Sequence, residues 1–225
     1  NDWGGRSLYT GGTHVSFERP FAKGFLVKPE PMGRMMQSEP DREAMGFRSW
    51  ARPRGLSDWC GGAGWFTYER TFTRWAEANG YRLDVAVSQD LERYPEILEG
   101  PRLFLSVGHD EYWSWGMRDA LDGFVERGGN AAILSGNTCF WQVRFDDDHA
   151  GMTGYKYRAD EDPILGTGEE RFLTGCWSDR RIGRPETSTI GLTFTRGGYS
   201  RYGLGAAESS GAYTVHRPDH WAFDG

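Results

Sequence analysis

Between Phe66 and Asn79 the apolar residues Tyr68, Phe72, Trp75 and Ala76 recur at the i, i+4, i+7, i+8 spacing of one helix face. Gly80 follows, where a helix commonly ends in a left-handed turn. Tyr81–Val87 then predicts a strand, and Asp90–Leu98 a short helix closed by Gly100. Leu103–Val107 is a continuous apolar run of buried-strand length. Met117, Ala120, Leu121, Phe124 and Val125 return to helical spacing behind Ser114, a suitable N-cap, and Gly128-Gly129 ends that helix. Ala131–Leu134 predicts the next strand. Helices and apolar strands alternating through short connections predict an α/β fold, a mostly parallel sheet with helices on both faces. In such sheets ligands bind beyond the carboxyl ends of the strands, which singles out Gly108–Trp113 and Ser135–Trp141.

The flanks are patterned differently. Residues 1–65 are rich in turn formers, with a short strand expected near Val15–Phe17. Residues 66–145 form the predicted core. Residues 146–225 carry short, partly alternating runs at Tyr155–Tyr157, Arg171–Leu173, Ile190–Thr195 and Tyr213–Val215, which predict a β-rich portion of the same single domain. Both ends read as cut, so the chain is expected to be a fragment of a longer one.

Composition narrows the function classes. A net charge of −6 speaks against a nucleic-acid partner. No apolar run reaches the roughly 20 residues that span a bilayer, so no membrane partner is expected. The compartment stays open, with the cytoplasm favoured. Cys60, Cys139 and Cys176 are too widely spaced for a disulfide framework or a CxxC pair. The lysines are Lys23, Lys28 and Lys156, a scarcity attributable to a genomic preference for arginine.

The segment Ser106-Val107-Gly108-His109-Asp110-Glu111-Tyr112-Trp113 places a histidine, two acids and a tyrosine at a strand-to-helix junction. Backbone N–H groups at a helix start favour negative charge there. Two readings stand side by side: a reactive constellation, or a helix cap with Tyr112 and Trp113 packed beneath it.

Several stretches resemble the large-subunit family of N,N-dimethylformamidase. They are Asn1–Tyr9, Val15–Pro20, Gly80–Val85, Gly108–Trp113, Gly136–Trp141, Arg184–Glu186 and His220–Phe223, in order along nearly the whole chain. The resemblance implies a class I glutamine-amidotransferase-like, flavodoxin-like fold. It also implies a mononuclear ferric ion (Fe3+) held by two tyrosinates and one glutamate. Carried over by residue, the ligands are Tyr112, within Gly-His-Asp-Glu-Tyr-Trp, and Tyr68 and Glu186, matched by spacing. Tyr68 as a core residue and Glu186 as a solvated loop acid remain the plain alternatives. Hard oxygen donors suit a hard Lewis acid. Such an ion can polarise an amide carbonyl or activate water. His109 and Glu111 are then candidates for acid–base work, and Asn137 for donating to an oxyanion. The implied function is metal-dependent hydrolysis of small amides, with a small-subunit partner or self-association left open. Arg184 stands where the family's enzyme is expected to carry a histidine, which puts dimethylformamide itself in question as substrate.

Zinc is disfavoured, because His14, His109, His149, His216 and His220 show no HxH or HExxH spacing. Two other readings compete. Cys139 could serve as the nucleophile of an amidotransferase-like enzyme, given a histidine and an acid beside it. Alternatively the chain is a carbohydrate- or partner-binding module without catalysis.

Overall fold

Leu103–His109 (β2) and Asn130–Gly136 (β4) pair in parallel over their full length, from Leu103 opposite Asn130 to His109 opposite Gly136. In the computed structural model that shows this, residues 6–18, 20–27, 50–57, 60, 64–193 and 215–221 are described. The chain divides into two units, Asn1–Gly191 and Leu192–Gly225.

In the larger unit the parallel pairing stops at two strands in β2–β4. A second, mixed sheet has the order β1-β6-β5-β3. Here His14–Ser16 (β1) runs antiparallel to Gly151–Thr153 (β6), and β6 runs antiparallel to Trp141–Phe145 (β5). Tyr112–Ser114 (β3) joins β5 in parallel. The expectation of a mostly parallel, flavodoxin-like sheet with helices on both faces is therefore wrong. The physical reason lies in the strands. Buried parallel strands are apolar on both faces, whereas Leu103 and Leu134 stand 47% and 56% exposed. Tyr81–Val87 forms no strand at all, and Tyr81, Val85 and Val87 point into solvent. Its alternation with Arg82 and Asp84 fits one half-covered face, which no ladder takes up.

The helices follow the sequence pattern more closely. Gly64–Thr67 (α1) and Glu69–Ala78 (α2) replace the single helix expected from Phe66, with a break at Tyr68 (φ −122°, ψ −67°). Asp90–Arg93 (α3) gives way to a 3-10 turn at Pro95–Leu98, because proline cannot continue the hydrogen-bond ladder. Trp115–Glu126 (α4) starts where the sequence places it. Ser114 Oγ accepts from the Met117 N–H at 3.1 Å, and Ser114 also donates to Glu92 on α3. Met117, Leu121 and Phe124 of α4 pack with Leu91, Leu98, Trp113, Leu173, Trp177 and Ile182 in the main core.

The expected β-rich portion is largely turns. Beyond β6, residues 156–161 and 170–172 form 3-10 turns and Thr187–Ile190 (α5) one helical turn. Extended pairing survives there among the described residues only as a bridge between Trp141 and Cys176. Of the run expected at Ile190–Thr195, residues 190–193 form no strand, Ile190 ending α5, and the remaining two lie outside the described residues; of the strand expected at Tyr213–Val215 only Val215 is described, and it is in no strand. In the smaller unit, residues 215–221 make a turn in which the His220 N–H donates to the Arg217 carbonyl at 3.1 Å.

Candidate functional site

The carboxyl ends of β2 and β4 feed two loops that are stitched together by backbone hydrogen bonds. The Asp110 N–H donates to the Gly136 carbonyl and the Cys139 N–H to the Asp110 carbonyl. Phe140 and Trp141 both donate to the Glu111 carbonyl, all within 3.1 Å. Backbone strain gathers at the same place. Asn137 and Cys139 hold φ of 53° and 54°, and Lys156 holds 58°. Positive φ is costly for side-chain-bearing residues and concentrates where function demands it. Gly108 (φ +92°) is glycine for a second reason: a Cβ there would stand 2.7 Å from Tyr68 Cβ and 2.9 Å from Glu69 Oε1.

Two polar clusters lie along these loops. In the first, Ser106 Oγ donates to Asp110 Oδ2 at 2.6 Å and sits 2.6 Å from Ser135 Oγ, which is 2.5 Å from Thr138 Oγ1. Burial pushes the Asp110 carboxyl up, against the pull of the Ser106 bond. The Glu69 carboxyl is likewise raised by burial, against the pull of a bond from its own backbone N–H and with a further push from Asp110.

In the second cluster Glu111 is the hub. Tyr9 Oη donates to both its oxygens at 2.8 and 2.9 Å, and Trp141 Nε1 donates to Oε1 at 2.8 Å. His109 Nε2 lies 3.4 Å from Oε2. Burial raises the Glu111 carboxyl, but the His109 and Tyr9 bonds and the Lys156 charge outweigh it and leave it below the usual range. Lys156 Nζ donates to the Tyr112 hydroxyl at 3.1 Å and sits 2.9 Å from the centre of the Tyr9 ring. Its side chain is buried, and burial lowers its pKa to about 8. Burial also raises the phenols of Tyr9 and Tyr112.

The residues singled out from sequence fall as follows. His109, Glu111 and Tyr112 are together, with His109 at the exposed rim. Asn137 is half-buried on the adjoining loop. Tyr68 lies over Gly108. Glu186 is not a solvated acid: it is 2% exposed and lies close enough to Cys139 and Arg118 to act on both electrostatically. Tyr112 and Glu186 thus sit in different surroundings, the phenol against Tyr9 and Lys156, the carboxylate against Arg118 and Cys139. Cys139 itself is fully buried and its thiol is pushed up by that burial, which disfavours the thiolate a nucleophile needs.

The segment that carries Glu186 is held by Arg118 of α4. The guanidinium donates to the carbonyls of Arg184 and Pro185 at 2.6 and 3.0 Å and to Ser188 and Thr189 hydroxyls. It also lies 4.3 Å over the Trp177 ring. Arg184, the departure noted from the family's enzyme, is spent on α4, bonding Asp119 and Asp122 at 2.6 Å each. Arg118→Lys keeps the charge but loses the planar fork. It should cost about 1–2 kcal/mol, read as a lower denaturant midpoint at unchanged slope.

Three residues of the site escaped the sequence reading: Tyr9, Glu69 and Lys156. The scarcity of lysine was a signal for the last, since in an arginine-dominated chain a retained lysine is a chosen one.

The profile of the family described as N,N-dimethylformamidase beta subunit-like, C-terminal, matches residues 1–225. Two curated relatives, the N,N-dimethylformamidase beta subunits of Alcaligenes sp and Paracoccus aminophilus, are each 33% identical over 70 residues. Those residues are 31% of this chain and 9% of each relative, so the match spans only a small part of those proteins.

Proposed function

The chain belongs to the N,N-dimethylformamidase beta subunit-like, C-terminal family, and on that premise we propose that it carries the metal-holding part of a hydrolase of small amides. Tyr68, Tyr112 and Glu186 are the oxygen donors for one ferric ion, and a further subunit or a second copy is the expected partner, as the relatives' name implies. What supports this reading is that Tyr68, Tyr112 and Glu186, remote in sequence, each border the loops beyond β2 and β4, although Tyr112 and Glu186 face different neighbours there. Tyr68 lies at Gly108, Tyr112 ends the 108–112 loop, and Glu186 lies beside Cys139.

The donor set fits such an ion by its chemistry. Phenol and carboxylate oxygens are hard ligands. A buried phenol with a raised pKa ionises only beside a compensating cation. When bound, the ion would act as a Lewis acid toward a carbonyl oxygen or lower the pKa of water. The chain's own residues do the rest. Glu111 fixes Tyr9 and Trp141 as one wall. Lys156 holds the Tyr112 oxygen by its hydrogen bond. His109 stands at the rim, where it can exchange a proton with solvent.

Tyr112→Phe removes one donor and keeps the ring. Purified wild-type protein should carry about one iron per chain and show the visible charge-transfer band of a ferric tyrosinate. The variant should lose most of both at unchanged thermal midpoint. Equal iron content in the two proteins would defeat the metal assignment. A colourless wild type that cannot be loaded with iron would instead favour a binding module.

A further inference from the structure

Two carboxylates face the loops beyond β2, and they are in opposite states. Glu111 is partnered: its two oxygens share the single Tyr9 hydroxyl hydrogen, Oε1 also takes a bond from Trp141, and His109 stands alongside. A carboxylate so engaged is fixed in orientation as a wall of the site. Glu69, on the first turn of α2, is the reverse. Its Oε2 is buried, and among the described residues no hydrogen-bond donor reaches it. An unmet buried oxygen of this kind is rare in folded proteins and calls for an explanation. Its other oxygen points to Gly108, at 2.9 Å from where a Cβ would stand, so only glycine leaves that approach open. The carboxylate thus borders the same loop as Tyr68 and Tyr112.

We propose that Glu69 is the subsite for the nitrogen end of the substrate, binding the amine released on amide hydrolysis. This rests on the amide-hydrolase reading above. In that reaction the oxygen of water bonds to the carbonyl carbon and the C–N bond breaks. One water proton passes to nitrogen, giving an acid and an amine that is an N–H donor. A tertiary amide has no N–H before cleavage, so the bond to Glu69 forms only as the amine departs. Glu69 therefore favours the products' side of the reaction and selects substrates whose amine is small enough to reach Oε2.

The test is calorimetric titration of the iron-loaded protein with dimethylammonium chloride, and with tetramethylammonium chloride as a cation that has no N–H. Wild type should bind dimethylammonium at least about tenfold more tightly than tetramethylammonium. Glu69→Gln should remove that preference by weakening dimethylammonium about 10- to 100-fold, the scale of a charge-assisted hydrogen bond. Should the glutamine variant not fold, Glu69→Asp, one methylene shorter, is read in its place. Unchanged dimethylammonium affinity in the variant, or no N–H preference in the wild type, overturns the proposal. Failure of the parent reading looks different. A wild type that hydrolyses no N-alkylformamide yet loses amine binding on Glu69→Gln keeps the subsite and loses the reaction. Hydrolysis with unchanged kcat, KM and amine inhibition in Glu69→Gln keeps the reaction and loses the subsite.

Discussion

Asp162→Ala should lower stability at neutral pH by about 3 kcal/mol, because it leaves a guanidinium and two backbone N–H groups without their acceptor. Arg144 on β5 grips Asp162 with both terminal nitrogens, at 2.8 and 2.9 Å. The Thr174 N–H and hydroxyl donate to Oδ2 at 2.9 and 2.7 Å, and the Ile164 N–H donates to Oδ1 at 3.2 Å. Asp162 is 2% exposed, so no water replaces these bonds. Burial alone would raise its pKa, but the Arg144 and Thr174 bonds outweigh it and hold the carboxyl below the usual range. A carboxyl depressed in the folded state contributes stability that is present above its unfolded pKa, about 3.9. That contribution disappears as pH falls through the lower, folded value. Denaturant unfolding at a series of pH values should therefore show wild type and variant far apart at pH 7 and converging in strong acid. A gap that does not close on acidification would mean that Asp162 acts by shape and not by charge.

The brace has a functional consequence. Thr174 accepts the Tyr155 N–H on its hydroxyl at 2.9 Å and the Lys156 N–H on its carbonyl at 2.7 Å. Asp162 thereby fixes the backbone that presents Lys156 to Tyr112, and its loss should disturb the site as well as the fold. None of this chain of contacts is local in sequence, and no periodicity announces it.

The legible parts of the chain were those whose physics is local. Ser114 caps α4 and the apolar spacing from Met117 to Phe124 buries one face, whereas the helix expected over Asp90–Leu98 stops early, at Pro95. The runs Leu103–Val107 and Ala131–Leu134 became the parallel pair, and the residues after them form the loops that carry the two polar clusters. The sheet order was not legible, because pairing is decided by which face finds cover. Tyr81–Val87 has strand alternation and no partner, while Trp141–Phe145, which alternates just as plainly, is paired on both sides and Tyr112–Ser114 pairs without a strand's pattern. At the site, Gly-His-Asp-Glu-Tyr-Trp was visible as a motif. The division of labour around it was hidden, since only the structure shows Glu111 partnered and Glu69, behind a break at Tyr68, with a buried oxygen unmet among the described residues.

Lys156 shows what the site costs the fold, and Lys156→Met should stabilise the protein at pH 7 by about 2–3 kcal/mol. The side chain is buried with a pKa lowered from 10.5 to about 8. A lysine that binds its proton less tightly when folded makes stability rise with pH between those two values, because the unfolded chain holds more protons there. Below about pH 8 the ammonium is charged in both states and the whole desolvation penalty is in force. Methionine is close in length, carries no charge and removes that penalty, at the loss of one hydrogen bond to Tyr112 worth about 1 kcal/mol. The gain over wild type should accordingly be largest at neutral pH, shrink from pH 8 upward and approach zero or reverse beyond about pH 10. Thermal midpoints of both proteins across that range measure it directly. Under the proposed amide-hydrolase function the same variant should also lose activity, since the group that holds the Tyr112 oxygen is gone. A residue that costs stability in a strained backbone is retained for what it does to its neighbours. If Lys156→Met were instead less stable at every pH, the ammonium would be a structural tie over the Tyr9 ring, and its proximity to Tyr112 would carry no functional weight.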